Sequence, residues 1–207
     1  MAQIGIYRIT HYKNLPFILK HGLHCQNARI QDHDFVQIGF PTLINQRNDR
    51  TVPVEPFGTL ADYVPFYFTV RSPMLFVIAK GNDPEVIKTP QEEIVYLVST
   101  IEKLEEIGIQ YIFTDRHAKL DYATFYNNHT DIKELDWDII KSDTWGRQSG
   151  IQRKEIKQAE CLIYKRLTLA GIIGIACKSQ IMYDEVNRMM KRAGMMIPLK
   201  IKPEWYF

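Results

Sequence analysis

The segment KQAECLIYK (157–165) places a carboxylate, Glu160, directly before a short apolar run. The run CLIY combines apolar and aromatic residues, a composition typical of a buried strand. A carboxylate at the edge of such a strand is costly to bury unless it has a partner. The residue types alone therefore leave two interpretations of Glu160 open, a functional carboxylate or an ordinary residue at a strand end.

Short strand-like segments recur along the chain, and a few helical segments separate them. The predicted strands are IGIYRIT (4–10), FYFT (66–69), IVYLVST (94–100), YIFTD (111–115), IIGIACKS (172–179) and the edge strand PLKIKPEWYF (198–207). The predicted helices are KNLPFILKHG (13–22), IEKLEEIG (101–108) and QIMYDEVNRMMKRAG (180–194). Because regular βαβ alternation is missing, the pattern favours an α+β fold over a doubly wound sheet.

Other segments are less decided. MLFVIAKG (74–81) is either a separate element or the start of a helix, and TLINQRNDR (42–50) is either a short helix or a structured loop. Residues 25–42 predict a long polar loop, and residues 117–150 show only weak periodicity. Irregular stretches of this length in a compact domain are usually functional or mobile.

Composition limits the class of protein. The 207 residues are 45% hydrophobic and 24% charged, which excludes a disordered chain, a collagen and a disulfide-stapled miniprotein. Three widely spaced cysteines, Cys25, Cys161 and Cys177, predict reduced thiols in a cytoplasmic protein. No apolar run approaches ~20 residues and the first residues lack a signal-peptide layout, so we expect no membrane partner.

The common catalytic motifs are missing from the sequence. It contains no GxGxxG, GxxxxGK[ST], HExxH or GxSxG pattern, which removes support for a Rossmann dehydrogenase, a P-loop kinase, a zincin and an α/β hydrolase. The loose pair His21 and His24 is better read as two surface histidines than as a metal site, because Gly22 ends the helix between them. The basic last quarter, 151–207, fits either a phosphate partner or a solvated face.

Six segments, in this order, resemble one family across nearly the whole chain. They are IYRITHYKNL (6–15), NQRNDRTVP (45–53), DYVPFYFTVRSPML (62–75), YIFTDRHAKL (111–120), KQAECLIYK (157–165) and KPEWYF (202–207). Together they are similar to the DarT-type DNA ADP-ribosyltransferase toxins, and more so to the thymidine-modifying branch. The resemblance implies a compact α+β ADP-ribosyltransferase fold, with flanking helices and a split central sheet, in a single domain spanning 1–207. It also implies NAD as the ADP-ribose donor, single-stranded DNA as the acceptor, no metal, and a macrodomain antitoxin of the DarG type as partner.

The family pattern assigns roles on the donor side. Glu160 matches the catalytic glutamate, whose carboxylate bonds a hydroxyl of the nicotinamide ribose and stabilises the positive charge that develops as nicotinamide leaves. Arg47 matches an arginine that contacts NAD; because a guanidinium is a poor base, we expect it to act by charge and positioning. The remaining NAD-lining matches are Arg8, Ile9, Thr10, Phe17 and Cys25. Residues 32–50 match the loop over NAD, and 117–160 match the long substrate loop that leads to Glu160.

The same pattern assigns an acceptor side. The matching residues are Tyr67, Arg71, Met74, Arg116 and His117. Aromatic and guanidinium planes can stack on an unpaired base, and an unpaired thymine exposes its N3 atom. Phe68, next to Tyr67, is better explained by core packing. Two positions depart from the family: Arg8 stands where a histidine is usual, and Phe17 replaces a small residue.

Two other functions remain open from the sequence. The same fold could modify guanine, RNA or protein, since Glu160 would serve any ADP-ribosyl transfer. Alternatively, the chain could be a non-catalytic module that binds single-stranded DNA, although intact Glu160 and Arg47 argue against it.

Overall fold

The computed structural model describes residues 3–81, 83–86, 88–144 and 152–207. The part of the predicted substrate loop at 145–151 lies outside the described residues. Within the described ranges, ten strands form an eight-stranded sheet and a separate two-stranded one. The strands are β1 (Gly5–His11), β2 (Leu23–His24), β3 (Tyr63–Tyr67), β4 (Ile94–Thr100), β5 (Tyr111–Thr114), β6 (Phe125–Tyr126), β7 (Glu160–Tyr164), β8 (Arg166–Leu167), β9 (Gly174–Cys177) and β10 (Leu199–Ile201).

The large sheet has the strand order β10-β9-β4-β1-β3-β7-β5-β6, and β2 pairs with β8. The β9–β10 pair is parallel and all other pairs are antiparallel. The predicted α+β class is therefore confirmed, and the predicted C-terminal edge strand is present as β10, followed by a helical turn at Pro203–Trp205.

Seven helices flank the sheet in the described residues. They are α1 (Leu15–His21), α2 (Pro41–Gln46), α3 (Pro73–Lys80), α4 (Ile101–Glu106), α5 (Trp137–Lys141), α6 (Gln152–Ile156) and α7 (Gln180–Arg192). Local chemistry sets the bounds of α3: the Ser72 hydroxyl accepts a hydrogen bond from the Leu75 amide, Pro73 occupies the first turn, and Gly81 ends the helix in the left-handed conformation. MLFVIAKG is thus part of a helix that begins at Pro73.

The sheet is split between its two central strands, β1 and β3. Tyr7 and Tyr67 are the only registered pair between them, whereas β1 and β4 pair along seven residues. Pro65 explains the split, because it faces β1 two residues before Tyr67 and has no N–H to donate. Its carbonyl instead accepts a hydrogen bond from Arg8 Nη1 at 2.9 Å.

Both faces of the sheet are covered. The main core packs α1, α4 and α7 against one face and includes Ile6, Val64 and Phe66. Phe68 belongs to this core at 5% exposure, so its interpretation as a packing residue is confirmed. On the other face, separate apolar clusters lie around Leu75 and around Leu162, and the gap between strands β1 and β3 lies between them.

The uncertain segments resolve as follows. The predicted loop 25–42 contains no helix or strand as far as Phe40, but α2 begins at Pro41 inside it. Of the segment 42–50, the residues as far as Gln46 belong to α2. The weakly periodic stretch 117–150 is more structured than expected, since it carries β6, α5 and a helical turn at His129–Glu134. Its elements are two to six residues long, too short to produce a readable period.

In the described part of the chain, no helix is long and apolar enough to cross a bilayer. The same residues contain no cluster of three or more side chains suited to hold a metal ion. His24 Nε2 instead lies 2.9 Å from the His21 carbonyl, so the loose histidine pair forms a local hydrogen bond.

Candidate active site

Glu160 is the first residue of β7 and is buried, with 2% of its side chain exposed. Its amide donates to Thr114 Oγ1 at 3.2 Å, which ties the strand start to the end of β5. One carboxylate oxygen, Oε1, accepts from the Ala118 amide at 3.1 Å, and the other, Oε2, accepts from Arg47 Nη1 at 3.2 Å. The carboxylate is therefore held by a backbone donor and a guanidinium, the partners that a buried anion requires.

Arg47 closes helix α2, and its side chain reaches Glu160 at the start of β7. Its second terminal nitrogen, Nη2, donates to the Leu60 carbonyl at 3.3 Å. Its own carbonyl accepts from the Ala61 amide at 3.1 Å. Both ends of the residue are thus fixed to the turn at Leu60–Asp62, which limits where the guanidinium can lie.

That turn is held by a carboxylate at its end. The Asp62 side chain accepts hydrogen bonds from the Thr59 amide, Asn27 and Lys165. Burial raises the pKa of Asp62, but these hydrogen bonds outweigh burial and hold it at about 2. The position of Arg47 therefore depends on a turn that is stabilised by a charged Asp62.

His117 lies beside Glu160 but is not its ion-pair partner. The distance from His117 Nδ1 to Glu160 Oε1 is 3.6 Å, while the same nitrogen accepts a hydrogen bond from the Lys119 amide at 3.2 Å. A nitrogen that accepts a hydrogen bond carries no proton. Burial also lowers the pKa of His117; the Glu160 charge opposes this shift and the nearby Arg47 adds to it, so that the pKa stays below its ordinary value. The ring is therefore neutral at pH 7.

Arg8 brings a second guanidinium to the same place. It projects from β1 into the gap, where Nη1 bonds the Pro65 carbonyl and the buried Nε has no hydrogen-bond partner among the described residues. Burial, and then the charge of Arg47, lowers the pKa of Arg8 to about 10. Tyr67 stands opposite Glu160 in the β3–β7 register, and burial and then the Glu160 charge raise the pKa of its hydroxyl. Tyr67 is therefore neutral and Arg8 is charged at pH 7.

Three cavities meet at this group of residues. The inner cavity, of about 420 Å³, is lined among others by Arg8, Thr10, Phe17, Cys25 and Arg47. The junction cavity, of about 160 Å³, adds Ile9, Tyr67, Met74, His117 and Glu160. It shares Arg8, Thr10 and Arg47 with the inner cavity, so the two are parts of one cleft.

The outer cavity, of about 510 Å³, continues the cleft on the far side of the junction. It shares Met74 and His117 with the junction cavity and adds Lys119, Tyr122 and Lys154. Tyr122 is exposed at 57%, and the Arg116 guanidinium lies over its ring at 5.3 Å. A cavity with lysines, an exposed aromatic ring and apolar side chains suits a nucleic-acid strand, although Asp121 and Glu155 also line it.

The structure brings most of the sequence-predicted residues together. Those that line the inner or junction cavity are Arg8, Ile9, Thr10, Phe17, Cys25, Arg47, Tyr67, Met74, His117 and Glu160. Arg71 and Arg116 line none of the three cavities. Arg71 lies 3.7 Å from Asp143 and stacks over the Phe207 ring, whereas Arg116 pairs with Asp115.

Sequence reasoning missed part of the site. The Ala118 amide that donates to Glu160 is a backbone group. Almost every residue has such a donor, so the residue type does not indicate it. Lys119, Tyr122 and Lys154 of the outer cavity were also missed. Lys119 and Tyr122 fall in the weakly periodic stretch, where the only available signal was a lysine and a tyrosine near the TDRH group (114–117).

The arrangement suits a group transfer between two ligands. A fixed carboxylate stands where two parts of one cleft meet, and two guanidinium groups face the inner part. Such a carboxylate stabilises positive charge on a ligand held in the inner cavity, and the arginines attract a ligand that carries negative charge. This describes a transferase with a charged donor and a separate acceptor.

Comparison with known proteins agrees with that class. Residues 7–207 match the family model described as "ssDNA thymidine ADP-ribosyltransferase, DarT". A DNA ADP-ribosyl transferase of Escherichia coli O127:H6 is 36% identical over 203 residues, covering 98% of this chain and 93% of the relative. The Thermus sp. 2.9 DarT, solved in complex with ADP-ribosylated ssDNA, superposes with a TM-score of 0.92 at 35% identity, covering 99% of this chain and 96% of the other.

The same Thermus protein, solved in complex with NAD+, superposes with a TM-score of 0.86. A transferase–glycohydrolase fusion protein of Thermosipho africanus is 28% identical over 163 residues, which are 76% of this chain and 38% of the fusion. The chain belongs to the DarT family of ADP-ribosyltransferases. It is an enzyme that takes ADP-ribose from NAD, and the binding-module alternative loses its support.

Proposed function

We propose that this enzyme transfers ADP-ribose from NAD to the N3 atom of thymine in single-stranded DNA. The observation that carries the proposal is the buried Glu160 at the junction of the inner and outer cavities, paired with Arg47. The inner cavity takes NAD, with residues 32–50 as the loop over it, since Phe35, Gln37 and Ile44 from that loop line it. The outer cavity takes the DNA strand, with 117–160 as the substrate loop of one domain spanning 1–207.

The proposed reaction breaks one bond and forms another at the same carbon. The glycosidic bond between the ribose and nicotinamide breaks, nicotinamide leaves with the bonding electrons, and the ribose carbon becomes positively charged. Glu160 bonds a ribose hydroxyl and stabilises that charge more strongly in the transition state than in bound NAD. Thymine N3 then attacks the same ribose carbon, and the N3 proton is released to water.

The two arginines position the donor rather than take the proton. Both side chains line the cleft, and a guanidinium group suits the diphosphate and the ribose of NAD. Arg8 replaces the histidine that is usual in the family. Because its side chain is also bonded to Pro65, we expect it to hold the gap open while its backbone lies against nicotinamide.

The description of the family supports thymine rather than guanine as the modified base. The need for a single strand follows from the atom that is modified, because base pairing would block it. Pairing occupies thymine N3, whereas an unpaired base can enter the junction cavity beside Tyr67 and His117. The same ADP-ribosyl transfer could also modify guanine, RNA or protein. An experiment that offers each acceptor in turn distinguishes them.

The first experiment mixes the protein, NAD and a short single-stranded oligonucleotide with one thymine, and measures the mass of the oligonucleotide. We expect a gain of one ADP-ribose, and no gain for a thymine-free strand or a fully paired duplex. Glu160→Gln should lose ~10²–10³-fold in rate while still binding NAD. The exposed Glu106→Gln, in α4 and away from the cleft, is the matched control and should keep the wild-type rate. A gain on the thymine-free strand would overturn the base assignment, and nicotinamide release without any gain would overturn the DNA acceptor.

We further propose that the enzyme is the toxin of a toxin–antitoxin pair in the cytoplasm. The support is the family and the Thermosipho africanus fusion, whose name joins a DNA ADP-ribosyl transferase to a DNA ADP-ribosyl glycohydrolase. A macrodomain glycohydrolase of the DarG type would be the partner. Expression in bacteria should stop growth, and either Glu160→Gln or co-expression of such a glycohydrolase should restore it. Normal growth during expression of active enzyme would contradict the toxin role.

A further inference from the structure

Lys157 is a buried lysine three positions before Glu160. Only 1% of the residue is exposed, and no ion pair to its ammonium occurs among the described residues. Its Nζ atom donates to the Ser142 carbonyl at 2.6 Å, the Ile140 carbonyl at 3.1 Å and Thr69 Oγ1 at 3.4 Å. An ammonium has three N–H donors, so each has a partner.

The three oxygen atoms belong to two separate parts of the fold. Ile140 and Ser142 lie at the end of α5, inside the predicted substrate loop, whereas Thr69 follows β3 two residues after Tyr67. A methionine would fill a similar volume without the cost of burying a charge. The ammonium therefore has one effect that a methionine would lack: it attaches the end of α5 to the end of β3.

Two further cations hold the same short segment, residues 142–144. Arg71 Nη1 lies 3.7 Å from Asp143 Oδ1. Arg153 Nη2 donates to Ser142 Oγ and to the Thr144 carbonyl, both at 3.3 Å. Residues 142–144, here named the anchor segment, are thus bound by three cations from different places in the chain. Lys157 is the buried one of the three.

We infer that Lys157 is a positioning residue for the transfer. Its ammonium fixes the anchor segment, and Arg153 joins that segment to α6, whose Lys154 and Glu155 line the outer cavity. The inference rests on the proposed function, in which residues 117–160 meet the DNA strand. Lys157 itself touches neither substrate. Its loss should therefore weaken use of the oligonucleotide and leave NAD handling intact.

The attachment should also depend on pH. Burial lowers the pKa of Lys157 to about 8; among the charged groups facing it, Asp143 raises this pKa and Arg71 lowers it. Above that pH the amine loses its charge and one of its three donors, so its hold on the carbonyl groups weakens.

The test compares the wild-type protein with Lys157→Met between pH 6.5 and 9.5. Three quantities are measured: the KM for a thymine oligonucleotide at saturating NAD, the KM for NAD, and nicotinamide release without oligonucleotide. At pH 7 the variant should raise the oligonucleotide KM about tenfold, as expected for a lost charged hydrogen bond, and leave the other two unchanged. Relative to the variant, the wild-type protein should lose oligonucleotide use as pH rises through about 8. The exposed Lys191→Met, in α7 and outside the substrate loop, is the matched control and should behave as wild type.

The outcomes separate this inference from the proposed function. If the wild-type protein transfers nothing to DNA, the proposed function fails. If it transfers normally and Lys157→Met has the same oligonucleotide KM and pH profile, the positioning role alone is overturned. Equal losses of transfer and nicotinamide release, with a lowered Tm, would make Lys157 a core support only. Should the variant not fold, Thr69→Val removes one acceptor and should raise the oligonucleotide KM about threefold; an unchanged KM would overturn the inference.

Discussion

Arg47 and Glu160 stand 113 positions apart in the sequence, yet Nη1 of the first lies 3.2 Å from Oε2 of the second. The pair is nearly closed off from solvent, with 13% of the arginine side chain and 2% of the glutamate side chain exposed. Each residue lies at an end of its element: Arg47 closes α2 and Glu160 begins β7. The arginine is thus positioned by α2 and the long loop before it, and the glutamate by the sheet.

Replacing Arg47 by methionine should weaken both the fold and the donor site. The change leaves a buried carboxylate with the Ala118 amide and no cation at bonding distance, which costs about 3–5 kcal/mol in the free energy of unfolding. Urea denaturation measures that loss, and NAD titration should show weaker binding. Arg192→Met, at an exposed position, is the control. Wild-type stability together with wild-type NAD affinity would remove Arg47 from the site.

His117 should give the transfer rate an acid limb. Its pKa lies below the ordinary 6.5, so it stays neutral at pH 7 and takes a proton only at lower pH. Protonation of Nδ1 would break its hydrogen bond from the Lys119 amide. The turn that contains Ala118 would then be less stable, and the Ala118 amide bonds Glu160. The rate, measured from pH 5 to 8, should therefore fall in acid. In His117→Asn, whose carbonyl oxygen can accept the same hydrogen bond, this limb should disappear; an identical acid limb in the variant would assign it to another group.

Asp62 should support the fold at neutral pH and lose that effect in acid. Its pKa is about 2 in the folded protein against an ordinary 3.8, so the unfolded chain binds the proton first. The stabilisation is complete above about pH 4 and is lost as pH falls through the folded pKa. Unfolding free energies of the wild-type protein and Asp62→Asn should differ at pH 6 and converge towards pH 2.5. A difference that stays constant over this range would show that the carboxylate charge is not the cause.

Pro65 should be needed for NAD binding more than for stability. Pro65→Val restores an N–H that faces β1, and the two central strands could then pair where Arg8 now bonds the Pro65 carbonyl. We expect an unchanged or slightly higher free energy of unfolding, by up to about 1 kcal/mol, with NAD affinity reduced about tenfold or more. Calorimetric titration with NAD measures the second effect. The surface change Pro84→Ala should alter neither quantity, and full NAD affinity in Pro65→Val would argue against the proline as the cause of the split.

The long helices and strands were predicted well from the sequence, because their hydrophobic periodicity is a local property of the chain. The strand at IVYLVST became β4 and the helix at QIMYDEVNRMMKRAG became α7, with bounds close to those expected. The resemblance then supplied Glu160 and Arg47, which no local pattern connects. From residue types alone, Glu160 was a carboxylate at a strand edge whose role stayed open. Its hydrogen-bond partners lie on other elements, so the local sequence could not show them.

What the sequence could not show depends on distant backbone contacts. The neutral state of His117 follows from one amide, that of Lys119, and the charge of Asp62 from groups at Asn27, Thr59 and Lys165. The single pair between β1 and β3 follows from Pro65, which lies just before the predicted strand 66–69 and carried no prediction.

The one-pair connection between the central strands has a consequence for how the molecule opens. Most hydrogen bonds of the sheet lie within one half or the other, so the halves are joined mainly by apolar packing around Ile6 and Val64. Amide hydrogen exchange should then reveal two units of different protection, one containing β4 and β9 and the other β5 and β7. The cleft lies on the boundary between these units, and a ligand that contacts both sides should slow exchange in both of them at once.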